Sequence, residues 1–67
     1  MEKQHWARRI RAYRKLKGYT QQSFANELGV SVSLLGDVER GTRIPDEEFI
    51  EKVTEALGIS KHELQSG

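Results

Sequence analysis

The sequence contains no cysteine and a single proline, and no apolar run in it is longer than two residues. The lack of cysteine excludes disulfide bonds and thiolate metal sites, and it makes a reducing compartment, the cytoplasm, the expected location. The lack of a long apolar run argues against a membrane span or a signal-peptide core. The two histidines, His5 and His62, are far apart and have no paired-histidine spacing, so we expect no metal site.

The chain is also too short for several classes of protein. Its 67 residues correspond to a single domain over 1–67 and leave no room for a large active-site cleft or a separate effector domain. No serine has the context of a nucleophile elbow, and the acidic residues of 46–55 are better explained as a solvated helix face than as a general-acid pair. We therefore expect no enzyme activity, no catalytic residue, no cofactor and no small-molecule substrate.

Charge is distributed unevenly along the chain, although the formal net charge is only +1. Residues 1–19 hold seven basic side chains against one acidic, a net charge of +6. Residues 20–43 hold two basic against three acidic, and residues 44–67 hold two basic against six acidic, for net charges of −1 and −4. The basic end suggests a polyanion as partner, and a solvated charged helix is the alternative reading of the same residues.

Apolar residues at spacings of three and four predict two helices in the first half of the chain. The first runs over about residues 4–17 and the second over residues 21–28. Gly18 and Gly29 follow them in the position that ends a helix, and Thr20 is a suitable N-cap for the second.

Three further helices are predicted, and nothing in the sequence is typical of a strand. The third covers residues 32–40 after the N-cap Ser31. The fourth follows Pro45, and a short fifth follows Ser60, with Glu63 as the expected capping-box partner. The sequence thus predicts an all-α fold of five helices.

The second and third helices are joined by only three residues, 29–31, so they must cross at a steep angle. Such a crossing needs a small residue where the helices touch, which Ala25 supplies, and a residue that tolerates positive φ in the turn, which Gly29 supplies. It also needs apolar residues on both inner faces, and these are Phe24, Leu28, Leu35 and Val38. A helix-turn-helix motif over residues 21–40 meets all these conditions, with a generic helical hairpin as the alternative.

Two stretches of the chain match a known family of proteins. They are Gln-Gln-Ser-Phe-Ala-Asn-Glu-Leu-Gly-Val-Ser over 21–31, and Val-Glu-Arg-Gly over 38–41 with Pro45. They resemble the lambda-repressor-like (Xre/Cro) helix-turn-helix family, and the resemblance covers residues 10–64. It implies a compact five-helix DNA-binding domain with the motif in helices 2 and 3. It also implies a bacterial or phage transcription regulator that binds operator DNA, usually as a dimer.

The resemblance also implies roles for individual residues. The third helix matches the helix that enters the major groove, and Arg14 and Glu39 match a structural ion pair between the first and third helices. The positions expected to face bases are Gln21, Val32, Ser33, Gly36 and Asp37. The positions expected to contact phosphates are Thr20, Arg11, Arg40, Thr42 and Arg43.

The base-facing positions depart from the family pattern because none carries the Gln, Arg, Lys or Asn common there. Val32 can pack on a thymine methyl, Ser33 can bond several base edges, and Asp37 can accept from cytosine N4 while repelling phosphates. We expect Asp37→Asn to strengthen non-specific DNA binding. Gly36 in mid-helix has two interpretations: it allows the backbone to approach DNA closely, or it is a surface glycine that the helix tolerates.

We interpret the chain as a sequence-specific DNA-binding transcriptional regulator, a repressor, that acts as a homodimer on double-stranded DNA. Ile44, Ile59 and Leu64 are the candidate residues of the dimer surface. A signal would act on this domain itself, through a regulatory protein as partner, or through the abundance of the chain. Because the third helix has little positive charge of its own, two alternatives stay open: a protein-interaction module and an antitoxin-type component built on the same fold.

Overall fold

The computed structural model describes residues 2–65, and it describes side chains from Trp6 onward. The described backbone forms five α-helices: α1 (Glu2–Leu16), α2 (Gln21–Leu28), α3 (Val32–Arg40), α4 (Glu47–Leu57) and α5 (Lys61–Gln65). No strand occurs in this part of the chain. The predicted all-α fold of five helices is therefore confirmed, and only α1 differs, since it begins and ends slightly earlier than its apolar spacing predicts.

Side-chain caps explain where the helices begin. The Ser31 hydroxyl accepts from the Leu34 N–H at 3.1 Å, and an Asp46 carboxylate oxygen accepts from the Phe49 N–H at 2.8 Å. Ser60 and Glu63 form the predicted capping box, in which each side chain accepts from the other residue's backbone N–H. These bonds satisfy donors that the first turn of a helix otherwise leaves without a partner.

One apolar core unites the five helices. Its largest fully buried side chains are Ile10, Phe24, Leu35, Leu64, Val38 and Val53. The burial of Leu64, with an exposed fraction of 0%, corrects its assignment to a dimer surface: α5 is only five residues long, so its single apolar side chain is needed to seal the core. Ile59 is half-buried against the same core, whereas Ile44 is 67% exposed.

Arg9 joins the first helix to the last. Its Nη2 donates to the carbonyl of Glu63 at 2.7 Å, and its Nε donates to the carbonyl of Leu64 at 3.3 Å. A helix leaves its last carbonyls without intrahelical donors and carries partial negative charge there. Arg9 is therefore a structural residue and does not belong to the basic charge that is free to meet a partner.

Within the described side chains, no three His, Asp or Glu residues lie together as a metal site would require; His5 lies outside the described side chains. No helix in residues 2–65 is long and apolar enough to cross a membrane.

Candidate nucleic-acid interface

The turn between α2 and α3 has the geometry that the sequence predicts. Gly29 adopts φ 74° in the left-handed region, which a side chain would disfavour. The Val30 N–H donates to the Ala25 carbonyl at 3.0 Å, and Ala25 is fully buried where the two helices meet. The tight turn lets α2 and α3 share one core face, so that the opposite face of α3 is directed away from the core.

The inward face of α3 is fixed by a buried polar cluster. The Nε of Arg14 donates to Glu39 Oε2 at 2.7 Å, and its Nη2 donates to Oε1 at 3.1 Å. Gln21 Nε2 donates to the same Oε1 at 3.1 Å. The side chains of Arg14 and Glu39 are only 8% and 3% exposed, so this bidentate pair is shielded from water. The cluster ties α1, α2 and α3 together at one point.

This cluster contains three residues to which the family resemblance assigns a role. Arg14 and Glu39 do form an ion pair between the first and third helices. Gln21, expected to face DNA, is half-buried and uses one amide donor on Glu39. The sequence gives no signal for that contact, because the two residues lie 18 positions apart and neither belongs to the apolar pattern.

The outward face of α3 carries Val32, Ser33, Asp37 and Arg40, and none of them is buried. Arg40 Nη2 donates to Asp37 Oδ1 one helical turn earlier. The place of Gly36 on the outward face predicts that it is exposed to solvent. Instead it is buried, because the Arg40 guanidinium lies over it. A contact between Gly36 and a base stays a prediction, and it would require Arg40 to move.

The predicted phosphate-contacting residues lie on both sides of this face. Arg11 and Arg40 line an open cleft together with Arg14, Gln21 and Glu39. Thr20 uses its hydroxyl and its N–H in a capping box with Ser23, at 3.0 and 2.9 Å. Because the Thr20 hydroxyl already accepts from the Ser23 N–H, the donors left for a phosphate at this end of α2 are the N–H groups of its first two residues, Gln21 and Gln22.

The other side of the face is the segment that follows α3. The Thr42 hydroxyl donates to the Asp37 carbonyl at 3.0 Å, so Thr42 is held in place by its own helix. Arg43 is exposed. Arg8, Arg11 and Lys15 are exposed on α1, and Lys17 is exposed directly after it. They carry the exposed positive charge of the basic end among the described side chains.

The acidic residues of 46–55 lie on another element, α4, and at its N-cap, Asp46. Asp46, Glu47, Glu48, Glu51 and Glu55 are all exposed, and Glu47 pairs with Lys61 of α5. This surface is a solvated helix face, in agreement with the interpretation of the acidic cluster from the sequence. Arg11 of α1, by contrast, lines the cleft that also contains Arg40 of α3.

Comparison with known proteins places the chain in a family. The helix-turn-helix family model matches residues 10–64. The HTH-type transcriptional regulator YazB of Bacillus subtilis is 56% identical over 64 residues, which cover 96% of this chain and 93% of that protein.

Two solved structures are similar in both fold and sequence. The restriction-modification controller protein C.AhdI from Aeromonas hydrophila superposes with a TM-score of 0.87 at 35% identity, covering 92% of this chain and 94% of that one. SinR, the master regulator for biofilm formation, in complex with DNA, gives a TM-score of 0.83 at 40% identity, covering 88% and 95%. The chain therefore belongs to the helix-turn-helix family of transcription regulators, of the lambda-repressor-like (Xre/Cro) type.

Proposed function

We propose that this chain is a cytoplasmic repressor that binds operator DNA by inserting α3 into the major groove. The observation that carries the proposal is the division of α3 into two faces. Glu39 and its partners hold the inward face, while Ser33 and Asp37 on the opposite face stay accessible. A helix that is anchored on one side and exposed on the other is suited to major-groove recognition.

Phosphate contacts on both sides of α3 would set its position on the duplex. On one side are Arg11 and the N–H groups of the first turn of α2, which begins after Thr20. On the other side are Thr42 and Arg43, directly after the C-terminal end of α3. Because each neutralised phosphate releases counterions, the affinity of this chain for DNA should fall steeply as salt rises.

Base contacts would come from the first turns of α3. Val32 is 37% exposed and can pack on a thymine methyl, and Ser33 can donate to or accept from several base edges. These contacts discriminate modestly between bases, because neither side chain forms the two parallel hydrogen bonds of a bidentate contact.

A homodimer would double the few phosphate contacts that one small domain makes, with half-sites roughly 34 Å apart. Ile44 is the candidate dimer residue that remains exposed, and it lies in the segment before α4. Sedimentation of the wild type and of Ile44→Glu tests this idea: we expect a dimer that the charge disrupts. A wild-type monomer at high concentration would contradict it.

The alternative function is a protein-interaction module or an antitoxin-type component on the same fold. It is favoured by a shallow cleft between α3 and α4, lined by Leu34, Val38, Ile44 and Phe49 among others. Such a protein need not lose affinity for its partner as salt rises.

Selection of bound duplexes from a random pool, followed by titration of the enriched duplex at several salt concentrations, tests the proposed function. We expect one enriched motif and a linear fall of log affinity with log salt. Failure to enrich any motif would contradict sequence-specific binding and would favour the alternative function.

A further inference from the structure

The outward face of α3 holds one guanidinium, that of Arg40, and it is not directed away from the helix. It folds back toward the helix N-terminus, the direction in which helical side chains incline, and its Nη2 donates to Asp37 Oδ1. The side chains of Arg40 and Asp37 are 63% and 43% exposed. The pair is therefore formed on the surface that is proposed to face DNA.

Gly36 provides the space for this arrangement. A Cβ at residue 36 would lie 3.1 Å from Nη1 of Arg40 and would meet no other group as closely. Such a separation is tighter than an ordinary van der Waals contact, so a Cβ here would make the guanidinium shift by a few tenths of an ångström. A glycine in a helix interior weakens the helix, and the position of Arg40 gives this glycine a function.

The chemistry of the pair favours a base edge over a phosphate. An arginine carries five N–H donors in a planar fork, and Asp37 engages one terminal nitrogen, which leaves donors for a second acceptor group. The carboxylate would repel a charged phosphate more strongly than it would repel the neutral N7 and O6 acceptors of guanine. A guanidinium whose plane is held by a carboxylate is suited to the bidentate contact that those two acceptors form with arginine.

We propose that Arg40 recognises a guanine in the major groove, that Asp37 is a positioning residue for Arg40, and that Gly36 lets the guanidinium lie over the helix without being displaced. This inference rests on the proposed DNA-binding function and assigns its specificity. It replaces two expectations from the sequence, in which Arg40 contacts a phosphate and Asp37 accepts from cytosine.

The test is duplex selection with the full chain and four variants: Arg40→Ala, Arg40→Lys, Asp37→Asn and Gly36→Ala. We expect the wild-type motif to contain a guanine whose replacement weakens binding on the order of tenfold or more, as loss of a bidentate contact does. Arg40→Ala and Arg40→Lys should both lose this preference, because lysine keeps the charge but not the fork. Asp37→Asn and Gly36→Ala should weaken the preference while Arg40 is still present.

Matched variants separate base recognition from charge. Arg43→Ala removes the same charge from a proposed phosphate contact, so it should weaken all duplexes alike and lower the salt slope by about 0.9. Glu27→Gln removes a negative charge from an exposed side chain of α2 and should leave the motif unchanged. Circular dichroism should show that every variant is folded at the binding temperature.

The outcomes distinguish this inference from the proposed function. If the wild type enriches no motif, the proposed function itself fails. If it enriches a motif that Arg40→Lys retains, with only the salt slope altered in Arg40→Ala, Arg40 contacts a phosphate and the inference is wrong. If Asp37→Asn alters preference at a cytosine contacted independently of Arg40, Asp37 recognises a base and is not a positioning residue.

Discussion

The two acidic side chains of α3 lie two residues apart. Each carboxylate pairs with an arginine, but one pair is buried and the other is exposed. Glu39 faces inward and binds an arginine of another helix, Arg14, with both side chains shielded from water. Asp37 faces outward and binds Arg40 of its own helix, with both side chains exposed. A buried charge that loses its partner is costly, whereas an exposed pair contributes little to stability.

The comparison teaches that one helix can separate folding from recognition. The inward pair fixes where α3 lies relative to α1, and Gln21 adds a hydrogen bond from α2. The outward pair fixes only the orientation of a side chain. Substitutions on the outward face should therefore alter what is bound without destabilising the domain, whereas removing one member of the inward pair should destabilise it.

The largest effect that we expect is from Glu39→Ala. Its loss leaves the buried Arg14 guanidinium without its carboxylate, so the free energy of unfolding should fall by about 3–5 kcal/mol. Urea unfolding followed by circular dichroism measures it. The matched variant Asp37→Ala should change the free energy of unfolding by less than about 1 kcal/mol. Equal losses of unfolding free energy in Glu39→Ala and Asp37→Ala would contradict the distinction between the inward and outward faces.

The double variant Arg14→Met/Glu39→Leu sharpens the same distinction. Apolar replacement of both members of a buried ion pair is often neutral or stabilising, so most of the stability lost in Glu39→Ala should return. Here Gln21 would lose its acceptor on Glu39, at a cost of about 1 kcal/mol. Unfolding midpoints of the wild type and both variants give the comparison; a double variant no more stable than Glu39→Ala would contradict the account.

Loss of the N-cap of α3 should lower the free energy of unfolding by less than loss of the inward ion pair does. Ser31→Ala removes the acceptor of the Leu34 N–H and should cost about 1 kcal/mol of unfolding free energy, as N-cap losses usually do. Ser33→Ala is the control, because this exposed serine has no capping role and should change stability by less than about 0.5 kcal/mol. Thermal unfolding of both variants measures the difference. Similar losses of stability in Ser31→Ala and Ser33→Ala would contradict the capping role of Ser31.

The smallest expected effect on stability has the opposite sign. Gly36→Ala gains helix propensity of up to about 1 kcal/mol, and Arg40 can yield because it is a flexible, exposed side chain. We expect a slightly higher free energy of unfolding together with a weaker preference for guanine. A variant that is destabilised by more than about 1 kcal/mol would show that Arg40 is held rigidly over residue 36.

Local signals in the sequence account for most of the fold. The serine, threonine and glycine positions determine the helix ends because capping acts within a few residues, as the Ser60–Glu63 capping box illustrates. The apolar spacing of α2 and α3 predicts the helix-turn-helix motif. Burial of Leu64 could not be predicted from spacing, since α5 contains only one apolar residue.

The polar side-chain contacts were less predictable than the helices, because they depend on long side chains. Arg9 reaches carbonyls more than 50 positions away, and nothing in the basic composition of α1 separates it from exposed Arg8. The contact of Gln21 with Glu39 and the position of Arg40 over Gly36 likewise depend on side-chain torsions that residue type and periodicity do not specify. The family resemblance supplied the ion pair of Arg14 and Glu39, since buried charge alone does not indicate which arginine is the partner.

The central claim is that the outward face of α3 is the DNA-binding surface, and amide chemical-shift mapping tests it most directly. The isotope-labelled chain is titrated with its selected duplex in a two-dimensional ¹H–¹⁵N NMR experiment. We predict the largest shifts at the first turn of α2, along α3 and at Thr42 and Arg43, with little change on the acidic face of α4. Shifts centred on α4 and the segment before it, with α3 unchanged, would contradict the account.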